Sequence, residues 1–334
     1  MDLMVDNRAL LFLSFGGPDR EEDVIPFLQN VTHGRGIPPE RLAEVGKHYF
    51  TMGGKSPING QNLHMIDDLR ALIAERGLDL PVYFGNRNWH PFIEDAVQQM
   101  ARDGITDVVV FATSAWGGYS GHTQYLEDID RAAQACRDAG LTPPTMTKIP
   151  PFHDHPLLLS AFARLLDEAR AAMPADEQDA ARLIFCAHSI PVSADETSSA
   201  DNTHRYSGQV LTASREIREL SSFAVDGADG TDVEQVWQSR SGPPHIPWLE
   251  PDICDYLRET VTAGDRRPVL LCPVGFVSDH MEVVWDLDTE AKETAEELGI
   301  PLYRSETPGF APEFPRMILD LVHRQWEDIP GEDA

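Results

Sequence analysis

The chain has 334 residues, 42% of them hydrophobic and 25% charged, with 55 acidic against 27 basic side chains and a formal net charge of -28. That composition is globular and the length suits two domains, while the charge excludes a nucleic-acid partner, whose phosphates are bound through lysine and arginine. No run approaches the length of a membrane-spanning helix and the N-terminus lacks a basic leader, so a cytoplasmic protein without an integral membrane segment is expected.

Six short apolar runs read as strands: ALLFLSF (9–15), PVYFG (81–85), DVVVFAT (107–113), RLIFCAH (182–188), VEQVWQS (233–239) and RPVLLCPV (267–274). Runs that are continuously apolar, rather than alternating, suit a parallel sheet covered on both faces. Helical spacing lies between them, at Leu63, Ile66, Leu69 and Ile73 within 61–76 and again over 157–173. The pattern predicts a doubly wound α/β fold. Near the middle the proline-rich LTPPTMTKIPPFHDHP (141–156) interrupts it, where a crossing between domains is expected. Residues 1–153 plus 308–334 are read as a first Rossmann-like domain and 154–307 as a second. The terminal segment with Phe314, Met317, Ile318, Leu321 and Val322 is expected to pack back on the first as a helix. The acidic VDGADGTD (225–232) reads as an exposed, mobile loop. Four scattered cysteines, Cys136, Cys186, Cys254 and Cys272, form no CxxC pair and fit buried apolar positions better than a zinc site or a disulfide framework.

In an open parallel sheet, ligands bind beyond the carboxyl ends of the strands. The loops there begin FGGP at 15, GNRNWHP at 85, SAWGGYSGHTQY at 114, AHSIP at 187, QSRSGPP at 238 and VGFVSDHMEVVWD at 274, and are read as converging on one cleft. None is a GxGxxG or Walker loop, so no nucleotide cofactor is expected. His188 closes a strand. In SDHMEVVWDLDTE (278–290), Glu282, Asp286 and Glu290 recur every four residues, which on a helix stacks three carboxylates on one face. Like charges at that spacing repel. The ladder is therefore either a solvated face of a very acidic protein or a path for a divalent cation or protons. Imidazole suits iron, zinc, copper or nickel and carboxylate suits a hydrated ion, so His188 with this ladder reads as a handover site for a divalent metal. A serine hydrolase fits less well, since there is no GxSxG elbow and Ser189 merely follows the histidine.

Taken together, LSFGGP, GGKSPIN (53–59), CAHSIP, WQSRSGP with WLEP (237–251) and GFVSDHMEVVWDLDTE resemble the ferrochelatase family, most closely its compact Gram-positive, actinobacterial branch acting on coproporphyrin III. The resemblance implies two Rossmann-like domains with a porphyrin cleft between them and insertion of Fe²⁺, as substrate, into coproporphyrin III to give coproheme. By motif position it implies His188 and Glu282 as the catalytic, iron-binding pair on opposite sides of the macrocycle; His188, when neutral near pH 7, can accept a pyrrole proton, as the reference pKa of imidazole allows. Asp286 and Glu290 become a proton or metal path on a helix with a π turn, and Ser56, Tyr125 and Phe15 become porphyrin contacts. Phe15 stands where some relatives carry a tyrosine that ligates product iron, which a phenyl ring cannot do. His122 stands where many actinobacterial relatives have a cluster cysteine, and the tail HRQWEDIPGEDA lacks the others, so no iron–sulfur cluster is expected. A monomer without an apolar membrane-binding lip, with transient contacts to other haem-pathway enzymes, completes the expectation. Competing readings are a protoporphyrin IX ferrochelatase, a cobalt or nickel chelatase, and a porphyrin or haem carrier that catalyses nothing.

Overall fold

Eight parallel strands make two four-stranded sheets in this computed structural model, which describes residues 7–34, 36–197, 206–223, 233–242, 245–329 and 331. The first sheet contains β1 (Arg8–Ser14), β2 (Val82–Asn86), β3 (Asp107–Ala112) and β4 (Thr145–Lys148) in the order β2-β1-β3-β4. The second contains β5 (Arg182–His188), β6 (Glu234–Gln238), β7 (Val269–Cys272) and β8 (Leu302–Arg304) in the order β6-β5-β7-β8. The central strands are the most apolar, as the register demands: Ala9 to Leu13 of β1 and Ile184 to Ala187 of β5 are completely buried. Burying one such leucine contributes about 1.5–3 kcal/mol. The loop expected at 225–232 lies outside the described residues.

Two strands escape the sequence reading, and both lie on sheet edges. β4 (TMTK) sits inside the proline-rich stretch taken as an interruption, and β8 (LYR) has only three residues. Each is partly exposed along its length, so neither needs the continuous apolar run that identified the others.

The chain divides into two compact units, Met1–Ser114 with His122–Pro150 and Pro315–Ala334, and Ala115–Gly121 with Pro151–Phe314. In the first, the C-terminal segment is tied to the start of the sheet. Arg8 pairs with Asp328 and lies 5.1 Å from the Trp326 ring, while the indole N–H donates to Asp107 Oδ2 at 3.1 Å. In the second, Trp116 Nε1 donates to the Gly275 carbonyl at 2.8 Å and the Gly117 amide donates to Gln209 Oε1 at 2.7 Å, which holds the short 115–121 insertion in place. Cys136, Cys186 and Cys272 are buried, Cys254 is half-buried, and all four are free thiols. No helix among the described residues is long and apolar enough to cross a membrane.

Candidate functional site

In the second unit, β5 delivers His188 to the carboxyl edge of its sheet, in register with Gln238 at the end of β6. The loop leaving β7 crosses tightly behind it. A Cβ on Gly275 would stand 2.7 Å from Ala187 Cβ, so only glycine permits that crossing. A helix then starts at Met281, capped by His280, whose Nδ1 accepts the Glu282 amide at 3.2 Å. It runs as α-helix over Met281–Trp285, opens into a π-helical turn over Asp286–Ala291, and resumes as α-helix over Lys292–Leu298. Val283, Leu287, Ala291 and Ala295 enter a core with Ile253, Leu257 and Val261. The apolar stripe fixes which way the segment faces. Glu282 and Glu290 are accordingly exposed and Asp286 is half-buried. The ladder exists, but on a wider helix than its four-residue spacing suggests, and such π turns recur at functional sites.

His188 Nε2 lies 3.4 Å from Glu282 Oε2. The other ring nitrogen, Nδ1, is 2.5 Å from the Ser189 carbonyl, which can only accept, so Nδ1 carries a hydrogen. In the neutral tautomer Nε2 would therefore turn a lone pair toward a carboxylate. The contact is favourable only with a proton or a cation between the two atoms. Burial pushes the His188 pKa down, but the hydrogen bond and charge of Glu282, with the Ser189 carbonyl and Asp286, outweigh it and raise the value above that of free imidazole. For Glu282, partial desolvation of the carboxylate beside His188 pushes upward and is overcome by the His188 hydrogen bond and the charges of His188 and His280, leaving it at about 2.

One expectation changes here. A flat ring needs about 3.5 Å to atoms on each face, so no macrocycle separates two groups 3.4 Å apart: His188 and Glu282 stand on one side of any bound ring. The adjoining carboxylate also raises the His188 pKa, which favours the protonated imidazole.

Gln238 and Ser239 hold the next rung. Gln238, 1% exposed, accepts from the Cys186 thiol at 3.5 Å and donates from Nε2 to the Glu282 carbonyl at 3.2 Å and to Asp286 Oδ2 at 3.3 Å. The Ser239 hydroxyl also donates to Asp286 Oδ2. Ser239 has φ 61°, the only positive value at a non-glycine position among the described residues. Such a conformation costs about 1–2 kcal/mol per residue. Burial, with the charges of Glu282 and Glu290, lifts the Asp286 carboxyl to about 7 against the opposing Ser239 hydrogen bond and His188 charge. Glu290 ends the row, accepting the Trp285 indole N–H at 2.9 Å. Sequence reading noted the QSRSGPP loop but assigned no role to Gln238 or Ser239. Its signal was the loop's place after a strand.

The residues expected to touch a porphyrin belong to the first unit. Phe15, just past β1, is 37% exposed and lies 5.8 Å from the Arg87 guanidinium. Ser56 and Tyr125 are 3% and 4% exposed, so both are buried. Tyr125 packs in the core with Leu11, Leu13 and Ile129, its ring 4.0 Å from Arg87, which pairs in turn with Asp128. Ser56 is pressed beneath Gly17, whose added Cβ would stand 2.7 Å from Ser56 Cβ. His122 Nδ1 lies 3.2 Å from Lys148 Nζ, and burial, with the charge of Arg87, brings that ammonium down to about 8. Among the described residues, no three histidine, cysteine or acidic side chains are grouped to hold a resident metal ion.

The sequence profile of the ferrochelatase family matches residues 7–326. This chain belongs to the ferrochelatase family. It is 53% identical to the coproporphyrin III ferrochelatase of Nocardia farcinica (strain IFM 10152), over 96% of this chain and 89% of that one. With the enzyme of the same name from Streptomyces coelicolor (strain ATCC BAA-471 / A3(2) / M145) it shares 48% identity, over 98% and 87%. Among solved structures, SirB from Bacillus subtilis with Fe³⁺ superposes with a TM-score of 0.54 at 13% identity, covering 95% of this chain and 94% of that one. DR2241 from Deinococcus radiodurans, a multi-domain protein with structural similarity to chelatases, gives 0.53 at 16%, covering 97% of this chain and 56% of its own. At those identities the likeness concerns the two-sheet α/β fold alone.

Proposed function

We propose that this chain inserts ferrous iron into coproporphyrin III, with His188 and Glu282 as the pair that receives iron beside the ring. The observation that carries the reading is the 3.4 Å approach of His188 Nε2 to Glu282 Oε2, with Asp286 and Glu290 following on the same segment. Family membership and the naming of relatives about half identical to this chain support the choice of porphyrin.

The overall reaction takes Fe²⁺ and a porphyrin with two pyrrole N–H groups to the metalloporphyrin and two protons. Before iron arrives, the His188–Glu282 contact holds a proton. A divalent cation competes for the same nitrogen and oxygen, since the imidazole and carboxylate that share a proton are also metal donors. Release of that proton frees the pair to accept ferrous iron or a pyrrole proton. Asp286, with its carboxyl at about 7, is suited to take up and give up protons near neutrality. Glu290, exposed at the far end of the row, connects it with solvent. Phe15 supplies an apolar ring face to the porphyrin and no ligand to its iron. The protein is read as a cytoplasmic monomer that meets other haem-pathway enzymes transiently and carries neither cluster nor nucleotide.

Anaerobic metalation of coproporphyrin III and of protoporphyrin IX with Fe²⁺, followed by absorbance, tests the proposal. Faster turnover of coproporphyrin III is expected. Binding of either porphyrin without metalation would instead identify a carrier.

A further inference from the structure

Two carboxylates near the ladder take no part in the chemistry above: Asp279, just ahead of His280, and Asp288, inside the π-helical turn. Both meet one guanidinium. Arg304, the last residue of β8, reaches Asp288 through Nε to Oδ1 at 2.7 Å and Nη2 to Oδ2 at 2.8 Å. It reaches Asp279 through Nη1 to Oδ1 at 3.2 Å and Nη2 to Oδ2 at 3.3 Å, and Nη1 also donates to the Ser305 carbonyl at 3.2 Å. Those bonds occupy all five guanidinium N–H groups. The side chain is only 15% exposed, so solvent screens these pairs less than it would at an open surface.

Asp279 and Asp288 bracket Glu282 and Asp286 in the chain. Arg304 is anchored by the parallel pairing of β8 with β7, where it lies in register with Leu271. A planar, forked cation on a strand can therefore join the entry of the helix to its wide turn. An ammonium concentrates its three donors on one atom and cannot reproduce that planar fork. We infer that Arg304 is a positioning residue that sets the twist of the 279–288 segment, and so the directions in which Glu282 and Asp286 project. The inference rests on the roles proposed above for those two acids. It also gives Asp288 a task of its own, as the handle by which the π turn is held.

The test uses the full chain as wild type, R304K, R304M, D288N and R304M/D288N, measuring anaerobic Fe²⁺ insertion into coproporphyrin III, porphyrin binding, thermal unfolding and the NMR titration of the His188 ring. R304M and D288N should each lose about 10- to 100-fold in kcat, the scale expected when reacting groups are misplaced by about an ångström. Porphyrin affinity should stay within about twofold. The double variant should be little worse than R304M, because both changes remove one contact, and R304K should recover only part of the loss. The His188 titration should move toward that of free imidazole in R304M and D288N. Wild-type kcat with an unmoved His188 titration in folded R304M or D288N, whatever the change in Tm, would mean that Arg304 is only a structural brace and would overturn the inference. If R304M does not fold, D288N and R304K decide by the same readings. A wild-type chain that fails to insert iron counts against the proposed function, while the His188 titration still tests Arg304.

Discussion

Ser239 donates its hydroxyl to Asp286 from a backbone held at φ 61°, so a strained turn after β6 aims a hydrogen bond at the middle carboxylate of the acidic row. That bond favours the ionised carboxylate and works against the burial that raises its pKa. Replacing Ser239 by glycine keeps the backbone conformation accessible while deleting the donor. In S239G the Asp286 carboxyl should therefore titrate higher, and the acid limb of the metalation rate should move to higher pH. A pH–rate profile of S239G that overlies that of wild type would remove Ser239 from the proton path.

Asp286 itself should impose that limb. If its carboxylate accepts protons during insertion, the rate rises with pH through about 7, and D286N lowers the rate and removes the inflection. Stability should run the other way. The folded carboxyl binds its proton more tightly than the unfolded one, whose ordinary pKa is 3.8, so wild type loses stability as pH rises from about 4 to about 7. Chemical denaturation should show D286N gaining on wild type between pH 4 and pH 8. An equal difference at both pH values would contradict the burial of this charge.

His188→Ala should lower iron insertion by about 10²-fold or more, the lower range for removing a positioned acid–base group, with greater loss if metal binding fails too. The ion pair it breaks has two titrating partners. The contribution of Glu282 is fully present above its ordinary 4.5 and lost as pH falls through about 2. That of His188, whose pKa is raised, is fully present below 6.5 and lost as pH rises through the folded value. Thermal melts should therefore separate wild type from H188A most between pH 4.5 and pH 6.5, and least at pH 9. A constant gap across this range would speak against the pair.

Glu282→Gln keeps the shape of the side chain and removes its charge. It should reduce kcat strongly with little change in porphyrin affinity, because the carboxylate is assigned to metal and protons. The His188 pKa should drop, since the group that raises it is gone. Steady-state kinetics and NMR titration of the ring check both parts. A defect confined to porphyrin binding would reassign Glu282 to the ring's periphery.

Much of this protein was legible in its sequence because burial writes itself into residue type. Strands shielded on both faces had to be apolar runs, so the central β1, β3, β5 and β7 and the parallel architecture could be read directly, and the edge strands β2 and β6 kept enough apolar residues to be read with them. The edge strands β4 and β8 carry no such requirement and were missed. His188 and the Glu282, Asp286, Glu290 row were likewise visible as residue types at strand ends and at a fixed spacing. What they do to one another was not. Whether an imidazole and a carboxylate meet at 3.4 Å depends on the register of β5 with β6 and β7 and on the tight crossing at Gly275, which no local pattern encodes. The same holds for the convergence of Gln238 and Ser239 on the Asp286 carboxylate and the burial of Ser56 and Tyr125. Sequence determined the chemical groups, the sheets and the family. Tertiary structure decided which of these groups meet and in which direction their pKa values move, because pairing distance and desolvation are set by residues far apart in the chain.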